Sequence, residues 1–425
     1  MKNIRFAVVV HYIILCIKWG IFSVLTGIAC GCIGSAFCLF VQWSNELRGQ
    51  HPWLLFLLPV AGLIIVKLYD VFNLSNDRGV DLIFDSVRNA DDIPFQVIIT
   101  SFLSTIFTHL FGGSAGRVGV AIQMGGGVSH LLSDKLGIHS KDRSLFVMCG
   151  MSGLISALFG CPLMATFFSM EVVNLGVIYY AALFPCLVTA ITSYFFTRGL
   201  QISPMRFELA SVPSMLPFGL LKVSVLAILC ALVSIIFCAV MMLCDRFFKS
   251  KLKNRYIRIL VGSGSILVLT LLVGSQIYNG SSAALLNTAL SGGQVNFYDF
   301  LLKILFTGIT LHCGYKGGAV YPALVIGATF GCFCGSVLGL PAGFAAAIGM
   351  IAVFCGSVNC PISSIFFAVE IFGGDGILFF AIAVAVSFVL SGYFTIFPGQ
   401  QFIYSKLHLE YRHSELHEKK IKENF

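Results

Sequence analysis

Residues 150–171 read Gly-Met-Ser-Gly-Leu-Ile-Ser-Ala-Leu-Phe-Gly-Cys-Pro-Leu-Met-Ala-Thr-Phe-Phe-Ser-Met-Glu, and residues 349–370 read Gly-Met-Ile-Ala-Val-Phe-Cys-Gly-Ser-Val-Asn-Cys-Pro-Ile-Ser-Ser-Ile-Phe-Phe-Ala-Val-Glu. Gly-Met, Cys-Pro, Phe-Phe and Glu recur at identical spacing, with the second copy 199 residues after the first. Such self-similarity predicts a chain built twice. Each copy follows a glycine-rich break, Gly112 to Gly119 and Gly314 to Pro322. Breaks at matching positions of two apolar repeats are where transporters of inverted-repeat design hold a substrate, between helices interrupted near the middle of the bilayer.

The 425 residues are 57% hydrophobic and 11% charged, with mean hydropathy +0.92, against roughly 25% charged for a soluble domain. This excludes a soluble fold. The 43 glycines suit helices that associate by close backbone approach. The 15 cysteines, among them Cys30, Cys32, Cys230, Cys332 and Cys334, show no metal-ligand spacing and read as buried small hydrophobes. Neither a metal nor another cofactor is expected. The net charge of +8 gathers in short loops and at the ends, which suits orientation in a membrane and speaks against a nucleic-acid partner.

The apolar run that continues through Val41 predicts a first membrane helix and not a cleaved leader. Further apolar stretches fall at about 53–74, 94–111, 144–160, 177–197, 216–243, 257–274, 298–312, 341–356 and 376–396. Stretches at 117–132, 162–175, 318–337 and 361–373 are interrupted by Gly or Pro and read as tilted or partial helices buried in protein. The expected organisation is a transmembrane unit over 1–404, with repeats at about 15–200 and 216–404, and a short tail at 405–425 without an appended soluble domain. The start, the basic loop Lys249 to Arg255 and the tail are placed in the cytoplasm by the positive-inside rule, in a multi-pass inner (plasma) membrane protein.

Helices that start at a glycine break aim free N–H groups and a positive dipole end at whatever lies in front of them, which favours an anion. Glycines such as Gly125 and Gly327, matched when Val118 is placed on Val320, would let the backbone approach a small ligand. Arg117 brings a full charge to membrane depth, either paired with carbonyls or a carboxylate or in contact with the ion. Glu171 and Glu370 end the two repeat segments and read first as structural hydrogen-bond acceptors, with proton movement as the alternative. His109 and His312, near the breaks, are expected to be hydrogen-bonded packing residues.

On these residues the chain resembles the CLC family of anion channels and proton-coupled antiporters. Gly116-Arg117-Val118-Gly119-Val120 is similar to the family's Gly-Arg-Glu-Gly-Pro motif, and Gly317-Gly318-Ala319-Val320-Tyr321-Pro322 to its third motif. A weaker likeness to the first motif lies in Asn76 to Asp81, including Val80. Tyr315-Lys316-Gly317-Gly318 and Gln123-Met124-Gly125-Gly126 resemble the bacterial fluoride-exporting branch. The resemblance implies an all-α polytopic fold of two inverted-topology repeats, a homodimer in the lipid bilayer, and one pore for fluoride or chloride in each subunit. It implies a filter of Gly116 to Val120, Gly317 to Tyr321, Val80 and Phe397, with Val118 and Phe397 as candidate gates.

The departures from the family concern protons. The gating glutamate is Val118, the branch's second glutamate is Ala319, its threonine is Tyr321, and the internal proton acceptor of the chloride antiporters is Val172. Phe397 stands where a pore tyrosine is usual and has no hydroxyl, although Tyr404 follows seven residues later. The expectation is therefore passive or uncoupled anion transport; the joint changes at Val118, Ala319 and Tyr321 favour natural divergence over an engineered Val118. Asp81 would repel an anion unless it caps the helix after it, which keeps chloride in competition with fluoride. A proton-coupled antiporter, or a carrier of a small organic acid, would need Glu171, Glu370 or Asp81 as the titrating group. An intramembrane enzyme is not expected, because the chain has no His-Glu-x-x-His, Walker or Gly-x-Ser-x-Gly motif.

Overall fold

The computed structural model describes residues 2–75, 77–209, 211–213, 216–408 and 410. Asn76 and most of the expected tail therefore lie outside the described residues. The first repeat comprises α1 (Lys2–Gln50), α2 (Leu58–Val71), α3 (Val80–Asn89), α4 (Gln96–Leu110), α5 (Val118–Lys135), α6 (Ser140–Phe159), α7 (Pro162–Glu171) and α8 (Leu183–Gly199). The second comprises α9 (Pro217–Lys251), α10 (Arg255–Val273), α11 (Ala283–Leu290), α12 (Asp299–Cys313), α13 (Val320–Leu338), α14 (Ala342–Val358), α15 (Pro361–Phe372) and α16 (Ile377–Leu390). Each helix of the first set has its counterpart, in order, in the second. Among the described residues seven helical segments are long and apolar enough to cross a membrane.

The repeated motif can now be read as packing. Cys161 and Cys360 are the extended residues before a proline, and Pro162 and Pro361 open α7 and α15, where a missing N–H costs nothing. The Glu370 carboxylate accepts hydrogen bonds from Leu163 N–H (2.9 Å) and Met164 N–H (2.8 Å) at the start of α7. Glu171 accepts from Ile362 N–H (3.3 Å) and Ser363 N–H (3.1 Å) at the start of α15. Each repeat thus caps the other's helix, which requires α7 and α15 to lie side by side in opposite directions. The equivalent rings of Phe167 and Phe366 stack between them, 4.5 Å apart and 5° from parallel, on the pseudo-two-fold axis.

The helix crossings explain other glycines. A methyl on Gly125 would strike the Gly150 carbonyl, and one on Gly327 would strike that of Gly349, so α5 crosses α6 and α13 crosses α14 in backbone contact. Gly125 and Gly327 therefore serve helix packing, where the sequence suggested approach to a ligand. A second difference concerns α13. It is one continuous helix of 19 residues, not interrupted by its glycines or by Pro322. Pro322 falls in its first turn, where it breaks no hydrogen bond. Cys32 is exposed on α1, unlike the buried cysteines Cys30, Cys230, Cys332 and Cys334.

The end of the second repeat folds back on the first. Gln401–Phe402 pairs in parallel with Asn174–Leu175. Lys406, inside the stretch expected to be tail, donates to Asn359 Oδ1 (2.6 Å), the Phe388 carbonyl (2.7 Å) and Ser391 Oγ (3.1 Å), so the packed chain continues through it.

Candidate functional site

The two glycine breaks meet. Gly116 N–H donates to the Gly318 carbonyl (2.7 Å) and Gly318 N–H returns a bond to Gly116 (2.8 Å), an antiparallel bridge between equivalent residues of the two repeats. Neither glycine tolerates a side chain. A Cβ on Gly116 would lie 2.6 Å from that of Tyr321, and one on Gly318 would lie 2.6 Å from the nitrogen of Gly119. Helices α5 and α13 start beside this bridge, at Val118 and Val320, and neither start has a side-chain cap. The N–H groups of their first turns have no intrahelical partner. The start of α3 also lies here: Val80 packs against Gly119, and Gly79, at φ 62°, precedes it without a side-chain cap.

A cavity lies on either side of the bridge. The larger, of about 610 Å³, reaches Gly119, Gly317, Gly318, Ala319, Val80 and Phe397. The smaller, of about 380 Å³, reaches Gly116, Arg117 and Tyr321. Val41, Gln42, Asn45 and Glu46 near the end of α1 line the smaller, and Met241, Met242, Asp245, Arg246 and Lys249 near the end of α9 line the larger. Helix α2 returns from the end of α1 and terminates where Asp70 pairs with Arg255 (2.8 Å), just after α9, so the two cavities open toward opposite ends of the bundle.

The residues proposed from sequence separate into two groups. Gly116, Arg117, Gly119, Gly317, Gly318, Ala319, Tyr321, Val80, Asp81 and Phe397 line one cavity or the other. Val118, Val120 and Val320 do not: their side chains are buried in the core at the first turns of α5 and α13, and only their backbone belongs to the helix starts. Phe397 is held edge-on by Phe84 (5.6 Å) and Phe168 (6.5 Å). Arg117 has no carboxylate partner among the described residues. Its Nη1 lies 3.8 Å from Cys38 Sγ and its guanidinium 6.0 Å from the Tyr321 ring.

The carboxylates are engaged elsewhere. Glu171 and Glu370 line neither cavity and hold helix starts. Asp81 does not cap its own helix; Oδ1 accepts from Gly399 N–H (2.8 Å), because the chain before β-residue Gln401 passes over the first turn of α3. Burial pushes the Asp81 carboxyl above the usual carboxylate range against that hydrogen bond, and neighbouring Asp85 adds to the rise. His312 is hydrogen-bonded through Nδ1 to Gly308 (3.0 Å). His109 is fully buried, with the Gly116 carbonyl as its backbone neighbour.

Sequence reasoning passed over three further groups. Lys316, in the larger cavity, pairs with buried Asp77 (2.8 Å) and covers the Tyr69 ring (4.4 Å). Gln123, one turn into α5, accepts from Ser101 (2.8 Å) and lines the same cavity. Lys303 is fully buried and donates to Ser114 Oγ, Ser282 Oγ and the carbonyls of Tyr278 and Gly280. A lone lysine inside the apolar run 298–312 was the available clue.

Two repeats, helix starts turned toward one another and a cavity on each side define a membrane transport protein of the inverted-repeat class. The sequence matches the family described as "Voltage gated chloride channel" over residues 61–392. The chain belongs to that family. It is 31% identical over 397 residues to a "Chloride/fluoride channel protein" of Pseudomonas syringae pv. tomato, covering 92% of this chain and 88% of the relative. It is 25% identical to the "H(+)/Cl(-) exchange transporter ClcA" of Vibrio cholerae, over 91% of this chain and 88% of that one. Among solved structures, a CLC-type fluoride/proton antiporter superposes with TM-score 0.88 at 29% identity, covering 91% of this chain and 98% of the other. A slow cyanobacterial Cl-/H+ antiporter, at 17% identity and TM-score 0.74 over 95% and 98%, shares the fold.

Proposed function

We propose that the chain carries small inorganic anions, fluoride or chloride, across a bilayer, through one pore in each subunit of a homodimer, passively and without coupled protons. The observation that carries the anion reading is the meeting of the uncapped α5 and α13 starts between two opposed cavities. Free N–H groups at a helix start bind negative charge. The uncoupled mode rests on Val118, Ala319 and Val172, none of which can titrate. Fluoride is favoured by Tyr315 to Gly318 and Gln123 to Gly126, and both the Pseudomonas relative and the antiporter neighbour carry fluoride in their descriptions.

The larger cavity faces the cytoplasm in this reading, since the basic loop after α9 stands at its mouth. A transporter, and not an enzyme, is part of the same proposal. One observation favours the coupled alternative: Asp81 lines the larger cavity with a carboxyl raised by burial. The two modes separate in liposomes holding the purified protein, with fluoride and chloride electrodes outside and a pH dye inside. Anion efflux without proton movement is the expected result. Stoichiometric proton exchange overturns the uncoupled mode, and no flux of either ion overturns the anion reading.

A further inference from the structure

Lys316 and Asp77 come from different repeats and meet in the wall of the larger cavity. Lys316 lies in the break that leads through Gly317 and Gly318 into α13, and Asp77 lies just before Gly79 and Val80, where α3 starts. Their side chains pair at 2.8 Å, Nζ to Oδ2, and the Asp77 side chain is only 3% exposed. Among the described residues no other carboxylate lies within ion-pair distance of Lys316. The second oxygen of the same carboxylate, Oδ1, accepts from Gly79 N–H (3.1 Å), next to the first residue of α3. One buried carboxylate thus holds the approach to α13 with one oxygen and the approach to α3 with the other.

Both approaches are fixed to their surroundings as well. The Tyr315 hydroxyl donates to the Leu58 carbonyl (2.6 Å) and lies 2.7 Å from Ser263 Oγ, so the residue before Lys316 is anchored on α2 and α10. The Lys316 ammonium covers the Tyr69 ring of α2 at 4.4 Å, and Gly318 is tied to Gly116 in the bridge. Gly119 fills the space between the two starts: a Cβ there would lie 3.3 Å from Gly318 Cα and 3.5 Å from Val80 Cγ2. The starts of α3 and α13 are therefore spaced by a single glycine, with the ion pair as a polar link across them.

We propose that the Lys316–Asp77 pair is a positioning clamp: it fixes the spacing of the α3 and α13 starts where the pathway meets the larger cavity, and through that spacing sets the preference for fluoride over chloride. Selectivity in a pore follows its width and the donors that replace water. A small ion that sheds hydration needs those donors held close, and a larger one gains when they part. The pair resists such parting, because separating it leaves the buried Asp77 charge without a counter-charge. Neither residue needs to touch the ion. The effect on selectivity rests on the anion-transport reading above; the geometry does not.

The test compares fluoride and chloride efflux from liposomes for Lys316→Met, Asp77→Asn, the double variant and Lys316→Arg. Asp77→Asn keeps the shape and an oxygen for Gly79 N–H but removes the charge. Both single changes are expected to lower the fluoride-to-chloride rate ratio by about fivefold to tenfold, the scale of one charge-assisted hydrogen bond. The double variant should match the singles, since both act through one contact, and Lys316→Arg, which keeps the pair, should recover most of the ratio. Opposite effects of the two single changes overturn the clamp: a lysine that merely attracts anions gives a loss in Lys316→Met and a gain in Asp77→Asn. An unchanged ratio in both overturns it too, whatever happens to thermal stability. Hydrogen exchange of the purified protein in detergent separates the clamp from the transport reading, since Asp77→Asn should speed exchange at 77–81 and 316–320 together. In a parent protein that passes neither ion the transport reading fails; faster exchange in both segments then upholds the clamp, and unchanged exchange overturns it. Flux with unchanged exchange keeps the transport reading and sinks the clamp.

Discussion

Two pairs of helix starts lie close to the pseudo-two-fold axis, and the chain treats them oppositely. At α7 and α15 each start is held by a glutamate from the other repeat. At α5 and α13 there is no side-chain cap. Both pairs present the positive end of a helix dipole and first-turn N–H groups without an intrahelical partner. A start occupied by a permanent carboxylate joins the halves of the protein. A start left open can take a passing anion. Conserving positive ends is thus not enough to make a pore; what matters is which of them the chain leaves free.

The comparison breaks most severely where the open pair loses its backbone approach. Gly318→Ala forces a methyl against the Gly119 nitrogen and parts the bridge. Anion efflux from liposomes is expected to fall by about tenfold to a hundredfold, the equivalent of the ~1–3 kcal/mol that a misfitting methyl costs. Efflux within twofold of the parent protein would show that the bridge does not frame the pathway.

The capped pair fails differently. Glu171→Ala leaves the Ile362 and Ser363 N–H groups without acceptors, the latter buried, and is expected to destabilise the fold by about 2 kcal/mol. Glu370 is half-buried, so water replaces part of its cap and Glu370→Ala costs about 1 kcal/mol. Denaturant or thermal unfolding in detergent measures both. Efflux per folded molecule should change little, and a selective loss of efflux at unchanged stability would move these carboxylates from the frame to the pathway.

The sharpest test converts one kind of start into the other. Val118→Glu places a carboxylate on the first turn of α5, where it can occupy the open donors. Efflux should fall by about tenfold at pH 7, the scale of a carboxylate's interaction with a helix start in a partly buried setting, and recover as the group is protonated toward pH 4. A pH-independent Val118→Glu would mean that the side chain at this position stays in the core, as the valine does.

Much of this architecture could be read in the chain. The apolar stretches fall on helices nearly end for end: 94–111 on α4, 144–160 on α6 and 341–356 on α14, for example. Long lipid-facing and core helices declare themselves by composition. Helix α3 does not stand out as an apolar stretch because Val80 to Asn89 carries two aspartates and an arginine, and α11 does not because eight residues are too few. The repeat located Glu171 and Glu370 but not their exchange across the axis, since equal positions in two copies do not reveal which copy supplies a partner. The side chains of Val118, Val120 and Val320 turn into the core because a motif marks a stretch of backbone, while the direction of each side chain depends on where the helix begins. His109 and Lys303 could not be separated from packing residues without their surroundings. The cost of an unbalanced ammonium appears only once neighbours are known.

The bridge between Gly116 and Gly318 consists of peptide groups alone. No atom in it can gain or lose a proton, be oxidised, or change rotamer. The frame where the two breaks meet should therefore keep its dimensions as the medium turns acidic or oxidising, and any response to such conditions must come from the walls of the cavities beside it.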